Sequence, residues 1–183
     1  TKGLNLSLRN NLRGLFINKY INTWDIYESA LYTFPILKNK VYSHISIDCK
    51  QAMFEAKRPY NIYLMSGVEK DLFAGYEHYF LVGTSYVNSK YTLRIPLFNF
   101  NRSFWKLLSS EPKIRIRTNI DWISSYMAGY IKDDNKDFLY NRFLNSFTTG
   151  LNITVNRSII GQIHLSVNHL KEVGIFFHSK TTF

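Results

Sequence analysis

The sequence predicts an α+β fold, in which an antiparallel β-sheet packs against a few α-helices in a single domain. Three observations support this prediction. Apolar and polar residues alternate in several short segments joined by turn residues, a pattern typical of hairpin-linked strands. Other segments carry apolar residues at helical spacing. Strands and helices do not alternate regularly, so a doubly wound parallel sheet is not expected.

Three helices are predicted where apolar residues recur at helical spacing behind a residue that can cap the first turn. In the first, Thr23 is the cap, and Trp24 and Tyr27 belong to the apolar stripe. The predicted helices are Thr23–Tyr32, Phe104–Ser110, and a segment from Asp133 or Asp134 to Phe147 that ends at Gly150.

Strands are predicted wherever the alternation is regular. The clearest case is Lys113–Ile120, whose apolar residues face one side of a strand and whose basic residues face the other. Tyr79–Val87 and Tyr91–Leu97 form a predicted hairpin around Asn88-Ser89-Lys90. The other predicted strands are Val41–Cys49, Tyr60–Met65, Leu151–Val155, Ile163–Val167 and Val173–Phe177.

We expect an N-terminal arm, residues 1–14, followed by a globular domain, residues 15–183. In the arm, Leu4, Leu6 and Leu8 alternate with polar residues. This pattern suits a strand, or an extended segment that docks on a neighbouring molecule.

The composition indicates a basic, soluble protein. The chain has 23 Lys and Arg against 13 Asp and Glu, a net charge of +10, and 45% of its residues are hydrophobic. Its longest uncharged stretches are too short and too polar for a membrane-spanning helix. A protein of this charge is expected to meet an acidic partner, either nucleic acid or an anionic membrane surface.

The candidate residues for binding that partner are basic. Lys113, Arg115 and Arg117 are the most specific set, because strand periodicity places them on one face at intervals of about 7 Å. A solvated sheet face is the alternative interpretation. The other candidates are Arg9, Arg13, Lys38 and Lys40.

A second candidate surface is apolar. Leu72-Phe73-Ala74 lies between charged residues and Gly75, which indicates a loop with an apolar tip. The tip either packs into the core or is exposed and contacts a membrane or another subunit. Together with Leu4, Leu6 and Leu8, these residues are the candidates for self-association or membrane contact.

Motifs for catalysis are scarce, and we expect no enzyme activity, cofactor or metal. The sequence has no Gly-rich phosphate loop and one cysteine, Cys49. His164 and His169 would point to opposite faces of one strand. One alternative is a metal-dependent DNA endonuclease, because 127–135 resembles a degenerate LAGLIDADG segment with Asp134 at the position of the metal-binding acid; capping the third helix is the competing interpretation.

Three passages of the chain resemble rhabdovirus matrix proteins. They are Lys57–Gly67 with the apolar loop that follows it, the alternating segment Glu111–Ile120, and Phe147–Lys171, which is similar to the family's C-terminal hairpin. The resemblance implies an antiparallel sheet packed on helices behind a flexible basic tail. By position, Leu72, Phe73 and Ala74 would match the family's exposed hydrophobic loop.

The function implied by the resemblance is that of a non-enzymatic viral matrix protein. Such a protein self-associates into a lattice and bridges the nucleocapsid to the anionic inner face of the envelope, which drives assembly and budding. The expected partners are further copies of the chain, the viral nucleocapsid, anionic lipids and RNA. The expected location is the virion beneath the envelope, and the cytoplasm and inner membrane face of the host cell. A basic structural subunit of a ribonucleoprotein is a further alternative.

Overall fold

The structure is a computed structural model, which describes residues 2–13, 23–37, 41–53, 66–67, 70–71, 73–76, 79, 81, 83–103, 115–133, 139–155 and 159–181. Within these residues there are ten strands. They are β1 (Gly3–Arg13), β2 (Thr23–Leu37), β3 (Val41–Ala52), β4 (Ser66–Gly67), β5 (Lys70–Asp71), β6 (Ser85–Ser103), β7 (Arg115–Lys132), β8 (Phe143–Val155), β9 (Ile159–Asn168) and β10 (Val173–Thr181).

Eight of these strands form one antiparallel sheet. Its order is β1-β2-β3-β6-β7-β8-β9-β10, so strands that follow one another along the chain lie side by side, and β4 and β5 form a separate short pair. No described residue is helical. The α+β prediction is therefore wrong: the described part of the protein is all-β. Among the described residues, no helix has the length and apolar character needed to cross a membrane.

The first predicted helix is part of β2. Thr23–Tyr32 pairs with β1 on one side and, from Asp25 onwards, with β3 on the other. The segment is rich in aromatic and β-branched residues, which favour a pleated surface. Its helical spacing also fits a strand, because Trp24 and Ala30 fall on one face and Tyr27 and Leu31 on the other. Pairing on both sides outweighs the weak helical preference.

The third helix and the central hairpin are also wrong. Phe143–Phe147 belongs to β8, and Gly150 lies inside that strand instead of ending a helix. The predicted turn Asn88-Ser89-Lys90 lies in β6, where each of the three residues pairs with both β3 and β7. Asn and Ser are common in turns. Here their pairing with a strand on each side keeps the segment extended within a wide sheet.

Several strand predictions are confirmed. Val41–Cys49 lies in β3, and the three C-terminal predicted strands lie in β8, β9 and β10. Arg115–Ile120 opens β7. Tyr60–Met65, Phe104–Ser110 and Lys113 lie outside the described residues.

The predicted arm contains β1, which is an edge strand of the same sheet and pairs with β2 from Gly3 to Arg13. The strand interpretation of the Leu4, Leu6 and Leu8 alternation is confirmed. The division into an arm and a globular domain stays a prediction.

The hydrophobic core is small and lies on one face of the sheet. Phe73, Tyr76 and Leu81 come from the segment between β3 and β6, and they pack against the strands that follow. The strand and turn residues of this core are Tyr86, Met127, Ile131, Leu139 and Leu144.

Candidate functional site

One row of residues crosses all eight strands of the main sheet. Its members have polar side chains, except for a glycine at each end. Each residue of the row is the direct pairing partner of the next. The row is Gly3, Thr33, His44, Thr92, Ser125, Thr148, Ser166 and Gly174. Side-chain hydrogen bonds run along it, from Thr33 Oγ1 to His44 Nδ1 (2.9 Å) and between the hydroxyls of Ser125 and Thr148.

The adjacent row contains one sequence neighbour of each of these residues, and all of its side chains are apolar or aromatic. It consists of Leu4, Tyr32, Ile45, Tyr91, Tyr126, Phe147, Val167 and Val173. Because successive side chains of a strand point to opposite sides, the two rows lie on opposite faces of the sheet. We name the face of the first row the polar face and the face of the second row the apolar face.

Along these two rows, burial is the reverse of that seen in most water-soluble proteins. The hydrophobic core residues Met127, Ile131 and Leu144 are also buried on the polar face, further along the strands. On the polar face, Ser125 is 5% exposed and Thr148 is 7% exposed. On the apolar face, Tyr126 is 50% exposed and Phe147 is 49% exposed. The polar side of this sheet is thus the covered side, and the apolar side is open.

The charged residues of the strands fall mainly on the polar face. There Nε of Arg94 donates a hydrogen bond of 2.9 Å to the Asp121 carboxylate, and a second guanidinium nitrogen contacts the same oxygen. Lys50 lies with its ammonium 5.6 Å from the centre of the Tyr27 ring. Other charged residues at polar-face positions are Arg9, Asp25, Asp48, Lys90 and Arg117.

The apolar face is almost free of charge along its central strand. Every second residue of β7 between Thr118 and Lys132 lies on this face, and none of them is charged. They are Ile120, Trp122, Ser124, Tyr126, Ala128 and Tyr130. The Trp122 indole donates to Ser124 Oγ (2.9 Å), so its polar atom is satisfied on the face itself.

The segment before β6 covers part of the polar face. Phe73 lies against Gly129, where an added Cβ would sit 2.5 Å from the phenylalanine ring. Gly75, in the left-handed region at φ 89°, approaches Ser146 so closely that a Cβ would lie 2.8 Å from the serine Cβ. Two glycines therefore permit this close packing.

Hydrogen bonds fix the same segment to β8, β9 and the turn after β9. Tyr76 donates from its hydroxyl to the carbonyl of Asn145 (2.9 Å) and contacts Nδ1 of His169. The Asn168 amide donates to the carbonyl of Gly75 (3.1 Å), and the Ser146 hydroxyl donates to the carbonyl of Ala74. We name Phe73–Tyr76 the inserted segment.

A cavity of about 160 Å³ lies on the polar face beside the inserted segment. Ala74 contributes to its wall. His164 and His178 line it as a stacked pair, with ring centroids 4.8 Å apart and planes within 8° of parallel.

Burial changes the acid–base behaviour of several groups on the polar face. Desolvation, and secondarily the charge of Arg94, lower the pKa of His44. Desolvation raises the pKa of Asp48 despite the opposing charge of Lys90. Desolvation raises the pKa of Tyr76 to about 12. Its hydroxyl therefore remains protonated at neutral pH and available as a hydrogen-bond donor.

Those predicted basic residues that the structure describes are not gathered into one site. Arg9 and Arg117 are exposed at polar-face positions, on β1 and β7. Arg13 ends β1 and Arg115 begins β7. Lys38, Lys40 and Lys113 lie outside the described residues.

The predicted apolar surfaces have opposite outcomes. Leu4, Leu6 and Leu8 are exposed on the apolar face. Phe73 and Ala74 are buried, so these two residues follow the interpretation in which the tip packs into the core, and not the exposed loop that the resemblance implies. The physical reason is the room that Gly129 leaves for the Phe73 ring against the polar face. Leu72 lies outside the described residues.

The described part of the LAGLIDADG-like segment lies mainly in a β-strand. Met127–Lys132 is the end of β7, paired with β6 throughout and with β8 as far as Tyr130. Asp134 lies outside the described residues. Among the described residues, no group of three or more His, Cys, Asp or Glu is placed to hold a metal ion. His164 has His178, not His169, as its neighbouring imidazole.

No protein-family model, curated protein or solved structure matches this chain. A function for this chain is therefore inferred from the two faces and the cavity. Sequence reasoning missed both faces, although the signal was present as apolar residues at most of the alternate positions of nearly all strands.

Proposed function

We propose that this chain is an integral membrane protein whose sheet lies in a lipid bilayer, with the apolar face against the acyl chains and the polar face lining a water-filled passage for small polar solutes. The two adjacent rows that cross all eight strands carry this proposal. One row has no apolar side chain, and the other has no polar one beyond its tyrosine hydroxyls.

Lipid suits the apolar face better than water does. Large apolar side chains on it are open on all eight strands, from Leu4 on β1 to Phe177 on β10. An apolar surface of this extent is a contact surface, since soluble monomers rarely expose patches beyond a few hundred Å². Glu28 of β2 is an exposed charged residue on this face. Its mixture of aliphatic residues with Trp and Tyr is typical of strands that meet a bilayer.

The dimensions also suit a bilayer. The uncharged apolar-face positions of β7 extend from Ile120 to Tyr130. Ten residue steps at about 3.4 Å give roughly 34 Å along the strand, or about 26 Å of height at a tilt of 40°. Spanning strands of bacterial outer-membrane proteins carry an apolar band of about 25 Å.

The edges of the sheet require pairing in this setting. β1 and β10 are the edge strands of the described sheet. Hydrocarbon offers no hydrogen-bond partner to an open edge, so an embedded sheet must close. The proposal therefore includes closure of the sheet by pairing of β1 with β10.

The polar face would supply the lining of the passage. Hydroxyl, amide, imidazole and charged side chains on it can solvate a moving polar solute. The inserted segment narrows the space beside this face, because Phe73 and Tyr76 are fully buried against it. Passage would be limited to solutes small enough to pass this segment.

The matrix role stays a prediction, and it makes a different claim about membranes. A matrix protein would bind an anionic surface through exposed basic residues such as Arg9 and Arg117, and salt would weaken that binding. An embedded sheet needs no anionic lipid, and salt should not release it.

Reconstitution into vesicles separates the two roles. The protein is mixed in detergent with either neutral phosphatidylcholine or a mixture containing anionic lipid, the detergent is removed, and the vesicles are floated after washes with 1 M salt and with alkaline carbonate. We expect the protein to float with both lipids after both washes. Retention on anionic vesicles alone, or release by salt, would contradict the proposal and favour the matrix role.

A pair of variants sharpens this test. Replacing Arg9 and Arg117 with Gln removes exposed charges without touching the apolar face. The embedded sheet should float as before, whereas a matrix-type association should weaken by about 1 kcal/mol for each basic residue removed.

A further inference from the structure

The lining of the cavity on the polar face combines apolar groups with several side chains that can donate hydrogen bonds. It lies across β6 to β10, with Ala74 of the inserted segment in its wall. The polar-face side chains with hydrogen-bonding groups that line it are Lys90, Thr92, Ser125, Thr148, Gln162, His164 and His178. Among the described residues that line it, none is a carboxylate.

Gly150 gives the cavity part of its space. It pairs directly with His164, and a Cβ at this position would lie 2.1 Å from the carbonyl oxygen of Ile163. Glycine therefore lets β9 lie close to β8 and leaves open the polar-face position in front of the His164 ring.

The two imidazoles form one edge of this space. His164 also contacts the Phe176 ring, with centroids 5.7 Å apart, so its ring has an aromatic neighbour on each of two sides. An anion placed at their edges could accept hydrogen bonds from their N–H groups.

Two acids of the polar face interact with basic residues. Asp121 is held by two contacts from the guanidinium of Arg94. Asp48 lies on β3, across from Asn88, and its charge interacts with that of Lys90. Neither acid is among the described residues that line the cavity, so an anion there would compete with Asp48 for the charge of Lys90 but would meet no carboxylate among those lining residues.

We propose that this cavity is a binding site for a small oxyanion of the phosphate class. The cavity volume corresponds to about five water molecules at roughly 30 Å³ each, which is room for a phosphate group with part of its hydration shell. Lys90 supplies the charge, and the imidazole, amide and hydroxyl donors supply the directed hydrogen bonds. The site rests on the proposed function for its access from the water-filled passage, and its position opposite the apolar face favours a free solute over a lipid headgroup.

Inorganic phosphate is the probe for the test. The full chain is held in detergent micelles, and phosphate is titrated in while the imidazole C–H signals are followed by NMR. We expect saturable shifts of the His164 and His178 signals with little change at His44. Chloride at the same ionic strength should leave all three signals nearly unchanged.

Two variants locate the site. Lys90→Met removes the ammonium and keeps most of the stem, and we expect phosphate affinity to fall at least tenfold. Arg9→Met removes one positive charge from the same face outside the cavity and should change affinity less than twofold. Thr92→Val, which keeps the side-chain volume, should weaken binding three- to tenfold if Lys90→Met does not fold.

The result that would overturn the site is loss of affinity by the same factor in Lys90→Met and Arg9→Met, or the absence of saturable imidazole shifts. Because binding is measured in micelles, it is independent of flotation with vesicles. Flotation without phosphate binding would reject this site alone, whereas phosphate binding without flotation would reject the membrane proposal alone.

Discussion

Ser125 and Tyr126 are consecutive residues of β7 with opposite surroundings: the serine is buried, and the tyrosine is half exposed. The Ser125 hydroxyl is hydrogen-bonded to Thr148 on the next strand. Tyr126 lies between Tyr91 and Phe147 in the row that crosses the apolar face. This relationship recurs along the strands and underlies the proposal that the sheet is embedded in lipid.

A charge placed on the apolar face should be costly in a bilayer. Tyr126→Lys is expected to lower the free energy of unfolding in vesicles by about 2–4 kcal/mol relative to Tyr126→Leu, because Tyr126 is near the middle of the uncharged run of β7. Denaturant titration of tryptophan fluorescence in vesicles measures this. Equal stability of the two variants would argue against lipid at this position.

The fit of the inserted segment should depend on Gly129. Gly129→Ala puts a methyl group against the Phe73 ring and the carbonyl of Val87, and should destabilise the protein by about 1–3 kcal/mol. Gly161→Ala is the matched control, since a Cβ there meets nothing within 4 Å. Unfolding midpoints in denaturant compare the two, and similar losses would contradict the described packing of Phe73.

Tyr76 should hold the inserted segment through its hydroxyl. Tyr76→Phe removes the bond to Asn145 and the contact with His169, which should cost about 1–2 kcal/mol. Amide hydrogen exchange should quicken in Phe73–Tyr76 while β7 remains protected. Tyr91→Phe, on the open apolar face, is the control, and an unchanged exchange rate in the Tyr76 variant would disprove the anchoring role.

The ion pair between Arg94 and Asp121 should stabilise the folded protein. Arg94→Met leaves a buried carboxylate without its ionic partner, and we expect a loss of about 2–3 kcal/mol, below the usual figure for a buried pair because Arg94 is one-third exposed. Asp121→Asn in the same chain should restore part of that loss, because it removes the isolated charge. If the double variant is less stable than Arg94→Met, the isolated charge of Asp121 is not the cause of the loss in stability.

His44 should make stability fall in mild acid. Its pKa is lowered in the folded state by burial and by Arg94, so below about pH 6.5 the unfolded chain binds the proton more readily than the folded protein. The free energy of unfolding should therefore decrease as the pH falls below 6.5 and level off below the folded-state pKa. His44→Gln should flatten this dependence in denaturant titrations between pH 7.5 and 5, and an unchanged slope would contradict the account.

The strand content could be predicted from the sequence where alternation was unbroken. Val41–Cys49 and the three C-terminal strands follow from period two alone. Thr23–Tyr32 could not be assigned in the same way, because its apolar residues fit both a helix and a strand with two partly apolar faces. Pairing with β1 and β3 decides between them, and that pairing is not visible within the segment.

The functional surfaces were harder to predict for a related reason. An apolar face made of alternate residues contains no long stretch of consecutive apolar residues, so a search for membrane-spanning helices does not detect it. The alternation shows that a strand has two faces but does not show which face is covered. The inserted segment decides this, and its position depends on the space at Gly129 and Gly75, far along the chain from each other.

The most direct test of the membrane proposal compares the two neighbours in β7. In a Cys49→Ser background, Tyr126→Cys and Ser125→Cys are each labelled with an environment-sensitive fluorophore and reconstituted into vesicles containing nitroxide-labelled lipid. We expect the nitroxide lipids to quench the label at residue 126 strongly and the label at residue 125 weakly. Equal quenching at the two positions, or stronger quenching at residue 125, would contradict the proposal that the apolar face meets lipid.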